Sequence, residues 1–146
     1  MILRDMTEVD LDAVLRIERE VHAYPWTRGN FSDALRSKYL CKAFESEAGE
    51  MLGYAVMMLA VDEAELLDIA IARHFQRQGW GHKLLQEMMA LARRSGMQRV
   101  VLEVRASNVA AISLYRSMGY VDIGLRRDYY QAQNAREDAI LMGREL

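Results

Sequence analysis

One stretch constrains this chain more than any other: LLDIAIARHFQRQGWG, from Leu66 to Gly81. Its apolar start (Leu66, Leu67, Ile69, Ala70, Ile71) suits a strand in the middle of a sheet. After a polar loop, Gly79 and Gly81 open a helix predicted from about His82 to Ser95. That helix carries Leu84, Leu85, Met88, Leu91 and Ala92 on one face and Gln86, Glu87, Arg93 and Arg94 on the other. Gly96 stops it, and Arg93 and Arg94 suit its negative C-terminal end. Glycines just before a helix let backbone N–H groups approach an anion, and the helix start favours negative charge. The stretch therefore predicts a phosphorylated ligand over Gly79 to His82.

The remaining composition narrows the class. A chain of 146 residues with 51% hydrophobic content suits one packed domain, expected over 1–146. The net charge of −2 and the lack of any run of five like charges argue against nonspecific nucleic-acid binding. Cys41, the single cysteine, falls in a predicted strand and reads as a buried thiol in a reducing compartment. The N-terminus lacks a signal-peptide core, and no apolar run approaches about 18 residues, so a cytosolic protein with no membrane partner is expected.

Along the chain, Met1 to Arg4 is a strand, and Thr7 caps a helix with Leu11, Val14, Ile17 and Val21 at helical spacing. His22-Ala23-Tyr24-Pro25-Trp26 interrupts it, and Thr27 caps a second helix to about Ser37. Tyr39 to Glu45 and Met51 to Ala60 form a hairpin. After the organising strand and helix come a strand over Arg99–Arg105 and a helix over Asn108–Met118 ended by Gly119. The last strands, Tyr120–Leu125 and Ala139–Arg144, are joined by a polar loop carrying Tyr129 and Tyr130. The predicted order is β-α-α-β-β-β-α-β-α-β-β, a mixed sheet with helices on both faces.

A Gly-x-Gly before a helix is weak by itself. The dinucleotide fingerprint needs a third glycine where Leu84 stands, although Glu103 occupies the place of a ribose-binding acid. A phosphate-binding P-loop fails because Lys83 follows Gly79 too soon and lacks a following Ser or Thr. Gln76-Arg77-Gln78-Gly79-Trp80-Gly81, however, resembles the Gln/Arg-x-x-Gly-x-Gly/Ala signature of the GCN5-related N-acetyltransferases, whose element order is the one read above. Five further segments resemble the bacterial ribosomal-protein N-terminal alanine acetyltransferases: His22–Trp26, Asp62-Glu63-Ala64, Leu102–Asn108, Arg126–Tyr130 and Arg136–Ala139. The chain departs from that family at Arg73-His74 and at Gln131, where a proline is common.

The resemblance implies an α/β (α+β) acetyltransferase fold: a mixed, mostly antiparallel sheet of about seven strands, splayed in the middle. It implies acetyl-coenzyme A as co-substrate, with its pyrophosphate on the backbone of Arg77, Gln78, Gly79, Trp80, Gly81 and His82. The pantetheine arm would run along Ile69, Ala70 and Ile71, with Asn108 as a further contact. Glu103 is then the expected base and Tyr115 the expected acid, in direct transfer from a ternary complex. The bare residues leave other readings open. Glu103 can pair with Arg105 or another cation, Asn108 can be a helix cap, and Tyr115 can be a core aromatic with Ile112 and Met118. A phenol near pKa 10 can donate to a thiolate near 8.5 when local charge lowers it slightly.

Exposed aromatics on loops suit a groove for an extended peptide, so Tyr24, Pro25, Trp26, Tyr129 and Tyr130 are expected to hold the acceptor. Asp62, Glu63, Glu65 and Asp68 can supply negative charge to it. The expected substrate is the N-terminal alanine of a small-subunit ribosomal protein. Rival readings are acetylation of lysine or a small amine on the same fold, and a non-catalytic acyl-coenzyme A sensor. His22, His74 and His82 have no ligand-like spacing, so no metal is expected, and a monomer is expected.

Overall fold

The computed structural model describes residues 1–132 and 135–146. Its elements run β1 (Ile2–Asp5), α1 (Leu11–Val21), α2 (Arg28–Arg36), β2 (Leu40–Glu45), β3 (Met51–Ala60), β4 (Glu63–Ile71), α3 (Trp80–Arg94), β5 (Arg99–Arg105), α4 (Val109–Ser117), β6 (Val121–Gln131) and β7 (Arg136–Glu145). The predicted order of elements is the observed one. The strands form one seven-stranded sheet in the order β1-β2-β3-β4-β5-β7-β6. Every neighbouring pair is antiparallel except β4 and β5.

Period-two alternation in β3 sends Tyr54 and Val56 to one face and Ala55 and Met57 to the other, and all four are buried. The first face carries α1 and α2 through Leu11, Val14, Ile17, Phe31 and Ala34, over a core drawn from β2, β3 and β4. The second carries α3 and α4, with Leu84, Leu85 and Met88 fully buried at about 1.5–3 kcal/mol each. Thr27 caps α2 as expected: its Oγ1 accepts the Asn30 N–H at 3.1 Å, and Asn30 Oδ1 accepts the Thr27 N–H at 2.9 Å. Cys41 is buried in β2, and burial pushes its thiol up to about 11, which leaves it unreactive.

The structure corrects four local expectations. The helix start at Thr7 is a 3₁₀ turn over Glu8–Asp10, closed by the Thr7 N–H donating to Asp10 Oδ2 at 2.8 Å, and α1 follows it. The organising strand begins at Glu63, because a turn at Val61–Asp62 hairpins it directly onto β3, with Ala60 opposite Glu63. Helix α3 begins at Trp80, so Gly81 lies inside its first turn. The polar loop expected around Tyr129 and Tyr130 is the outer half of β6, paired through Tyr130–Glu137 and Gln131–Arg136. A register shift between Arg126 and Tyr130, where Asp128 takes a φ of 51°, hides the alternation in the sequence. Residues 133 and 134, in the same connection, lie outside the described residues.

Candidate active site

The site starts from a break in the sheet. β4 and β5 pair only from Glu63–Arg99 to Leu66–Leu102. At the next residue β4 bulges: Asp68 lies opposite Val56 and Leu66 opposite Met57, so Leu67 has no partner on β3. Beyond this point the two parallel strands part around a cleft of about 420 Å³, with Leu67, Asp68 and Ile69 on one wall and Glu103, Val104 and Arg105 on the other. Helices α1 and α2 leave the β5 side of that face uncovered, which keeps the cleft open.

The β4 wall presents backbone polar groups to the cleft. Its unpaired edge offers main-chain amide groups to a pantetheine-like chain. The Ile69 carbonyl lies 3.2 Å from His22 Nε2 and the Ile71 carbonyl accepts from Gln76 Nε2 at 3.0 Å, and each keeps a second lone pair. Arg77 and Gly79 take left-handed φ values of 62° and 86° in the loop before α3. Among the described residues nothing lies within 4 Å of the position a Cβ would take on Gly79, so the helix start is open to an anion. Gln78 and His82 are exposed beside it. The Trp80 ring packs edge-on against Phe44, with ring centroids 6.1 Å apart. Lys83 is engaged with Glu87 at 3.2 Å.

Glu103 and Tyr115 both line the cleft. The cation beside Glu103 is Arg126, with Nη2 3.3 Å from Oε1; Arg105 turns instead to Glu137 at 2.9 Å. Glu65, on the same face, has its carboxyl raised by burial and then by the charges of Glu103 and Glu63. Tyr115 is 6% exposed and packs on Tyr120 at 5.7 Å. Burial, above all, pushes its phenol above the ordinary tyrosine range, the opposite of the lowering expected from sequence. Its proton is therefore held throughout the neutral range. Asn108 caps α4, Oδ1 accepting the Ala111 N–H at 3.2 Å, and lines the cleft as well.

The predicted acceptor residues separate into groups. The Arg105 guanidinium lies between the rings of Tyr24 (3.7 Å) and Tyr130 (4.3 Å), joining the α1–α2 connection to the β6–β7 hairpin. Tyr129 stands over Arg126 at 5.1 Å. Trp26 reaches the cleft but packs at a tilt against Phe31, with ring centroids 5.1 Å apart, and Pro25 is exposed outside the cleft lining.

Sequence reasoning missed one cluster. Glu18, 1% exposed, accepts the Tyr54 hydroxyl at 2.6 Å and the Trp26 N–H at 3.0 Å. His22 Nε2 lies 3.1 Å from Asp68 Oδ1. Burial first, and Asp68 next, raise Glu18 to about 7. The available signal was Glu18 and His22 at i and i+4, which share a helix face; considering histidines only against one another hid it. The donor atoms of Glu18, His22 and Asp68 lie within 4.8 Å of one another. Tyr54, Trp26 and Ile69 already engage Glu18 and His22, so the pattern is that of a hydrogen-bonded proton network.

Comparison with known proteins points one way. The acetyltransferase (GNAT) family profile matches residues 11–120. The [ribosomal protein bS18]-alanine N-acetyltransferase of Escherichia coli (strain K12) is 38% identical over 140 residues, covering 96% of this chain and 94% of that protein. Its counterpart from Haemophilus influenzae is 32% identical over 143 residues, covering 97% and 96%. The crystal structure of the ribosomal-protein-S18-alanine N-acetyltransferase from Escherichia coli superposes with a TM-score of 0.91 at 37% identity, covering 99% of this chain and 92% of that one.

Proposed function

The chain belongs to the GNAT acetyltransferase family, and from that premise we propose that it moves acetyl from acetyl-coenzyme A to the α-amine of an N-terminal alanine on a small-subunit ribosomal protein. The curated relatives named above support the substrate. The observation that carries the reading is the parting of β4 and β5 after Leu66, which sets an unpaired main-chain edge opposite Glu103 and beside Tyr115.

Acetyl-coenzyme A supplies an activated acyl group and a thiolate leaving group. The backbone from Arg77 to His82 would hold its pyrophosphate at the open start of α3, and Ile69–Ile71 with Asn108 its pantetheine arm. An α-amine near pKa 8 costs about 1–1.5 kcal/mol to deprotonate at pH 7, against about 5 for lysine near 10.4. A carboxylate working through one water suffices for the first. Glu103, kept in place by Arg126, accepts a proton from the attacking nitrogen in this way. Tyr115, whose burial keeps it protonated, donates to the departing sulfur, whose own basicity the same desolvation raises. Tyr24 and Tyr130, braced on Arg105, flank the extended acceptor chain.

Mass spectrometry of two peptides incubated with the protein and acetyl-coenzyme A tests this. One begins with a free alanine and contains an internal lysine; the other is the same but N-terminally blocked. Label on the α-amine of the first and none on the second is expected. Label on lysine in both would keep the fold and replace the substrate.

A further inference from the structure

The transfer just described leaves unused a buried titratable cluster in the same cleft. Asp68 is 9% exposed, and its Oδ2 has no hydrogen-bond partner among the described residues. A lone buried carboxylate oxygen is costly unless something reaches it. Burial first, and the neighbouring Asp68 next, raise the Glu18 carboxyl, so Glu18 can take up a proton beside it. The β4 bulge at Leu67 is what turns Asp68 toward α1 and brings the pair together.

The chemistry asks for such a group. An ammonium nitrogen carries three protons and the amide product one, so two protons leave nitrogen while one goes to sulfur. Glu103 accounts for one of the two. We propose that the Glu18–Asp68 pair, with His22 as its outlet, takes the other: the first proton, released by the acceptor's ammonium before attack. This rests on the acyl-transfer reading above. The N–H bond breaks and its electron pair stays on nitrogen, while the proton rests on the pair and leaves through His22, whose side chain is 27% exposed. As the C–N bond forms and the C–S bond breaks, Glu103 receives the second proton through water and Tyr115 gives its own to sulfur. Glu103 then returns a proton to Tyr115, so one proton leaves per turnover.

Placement supports the role. Asp68 is close enough to Tyr115 for its charge to bear on the phenol, and the attacking nitrogen must come within about 3–3.5 Å of the carbon bonded to that sulfur. Energetics agree: burial and Asp68 raise the Glu18 carboxyl toward the range of an α-amine near 8, which lessens the cost of the transfer. The groups facing the cluster are Glu18 and His22 from α1 and its cap, Tyr54 from β3 and Tyr115 from α4. Across the cleft stand Glu103 and Arg105 from β5, and Tyr24.

The test is the pH profile of kcat/KM for an alanine-starting peptide in wild type, Asp68→Asn and His22→Gln, with acetyl-coenzyme A affinity and thermal unfolding measured alongside. Asp68→Asn is expected to lose about 10²-fold near pH 7 and to recover to within about threefold of wild type near pH 9.5, where the amine arrives neutral. Coenzyme affinity should stay within about twofold in the same variant. His22→Gln should have the same shape at about fivefold. A loss equal at all pH values, or none at neutral pH, overturns the proposal. Should Asp68→Asn fail to fold, the partly exposed His22→Gln decides alone by the same criterion. If wild type itself leaves the α-amine unlabelled, the transfer reading fails instead.

Discussion

The two walls of the cleft are built in different ways. The β4 wall is local: strand, loop and the start of α3 come from one run, Leu66 to His82. The opposite wall is assembled from separated parts, with Tyr24 from the α1–α2 connection, Glu103 and Arg105 from β5, Tyr115 from α4 and Tyr130 from β6. The local wall offers backbone groups, which suit a ligand with phosphates and amides. The assembled wall offers side chains with specific charges, which, together with Asp68 from the local wall, suit proton transfer and acceptor choice. Coenzyme binding should therefore survive changes that abolish chemistry, and the reverse should also hold.

The largest expected separation comes from Tyr115→Phe, which should cut kcat about 10²-fold while the acetyl-coenzyme A dissociation constant stays within about twofold, read by steady-state kinetics and calorimetry. Arg105→Ala removes the bridge between Tyr24 and Tyr130. The acceptor KM should rise about tenfold with coenzyme KM unchanged; a rise in both would merge the two walls. Gly79→Val is the converse. It places a branched side chain at a φ of 86°, costing about 1–2 kcal/mol, and should raise coenzyme KM about tenfold with acceptor KM unchanged.

Stability adds a further distinction. Glu18 rises from 4.5 to about 7 on folding. A carboxyl raised in the folded state contributes stability that is full below pH 4.5 and is lost as pH climbs through about 7. His22, also raised, has the same sign. The melting temperature should fall as pH rises across that window, and Glu18→Gln should flatten the fall, as followed by circular dichroism. The smallest effect belongs to Lys83→Ala, which loses only an exposed pair with Glu87. Stability should change by less than about 0.5 kcal/mol, and coenzyme KM by less than about threefold if backbone groups hold the phosphate.

Legibility followed the same division. The glycines at 79 and 81, the strand before them and the amphipathic helix after them signal within a single window. The carboxylate face of β5 was readable too, since Glu103 alternates with buried Leu102 and Val104. The partners of these residues were not readable. Nothing near Glu103 in sequence indicates Arg126 as its cation, and the register shift in β6 made a strand read as a loop. A core position for Tyr115 was among the readings of the sequence, but its effect on the phenol was not, since burial moves it up rather than down.

What the sequence determined by itself was therefore the order of elements, the two faces of the sheet and the open helix start. Each depends on periodicity or backbone freedom within a few neighbouring residues. Only the tertiary structure decided which charges meet. The bulge at Leu67 and the short β4–β5 ladder bring Asp68 to Glu18 and His22, and part the strands that carry Asp68 and Glu103. Electrostatic environment depends on distance and burial in three dimensions, and residues fifty positions apart along the chain carry no local mark of it.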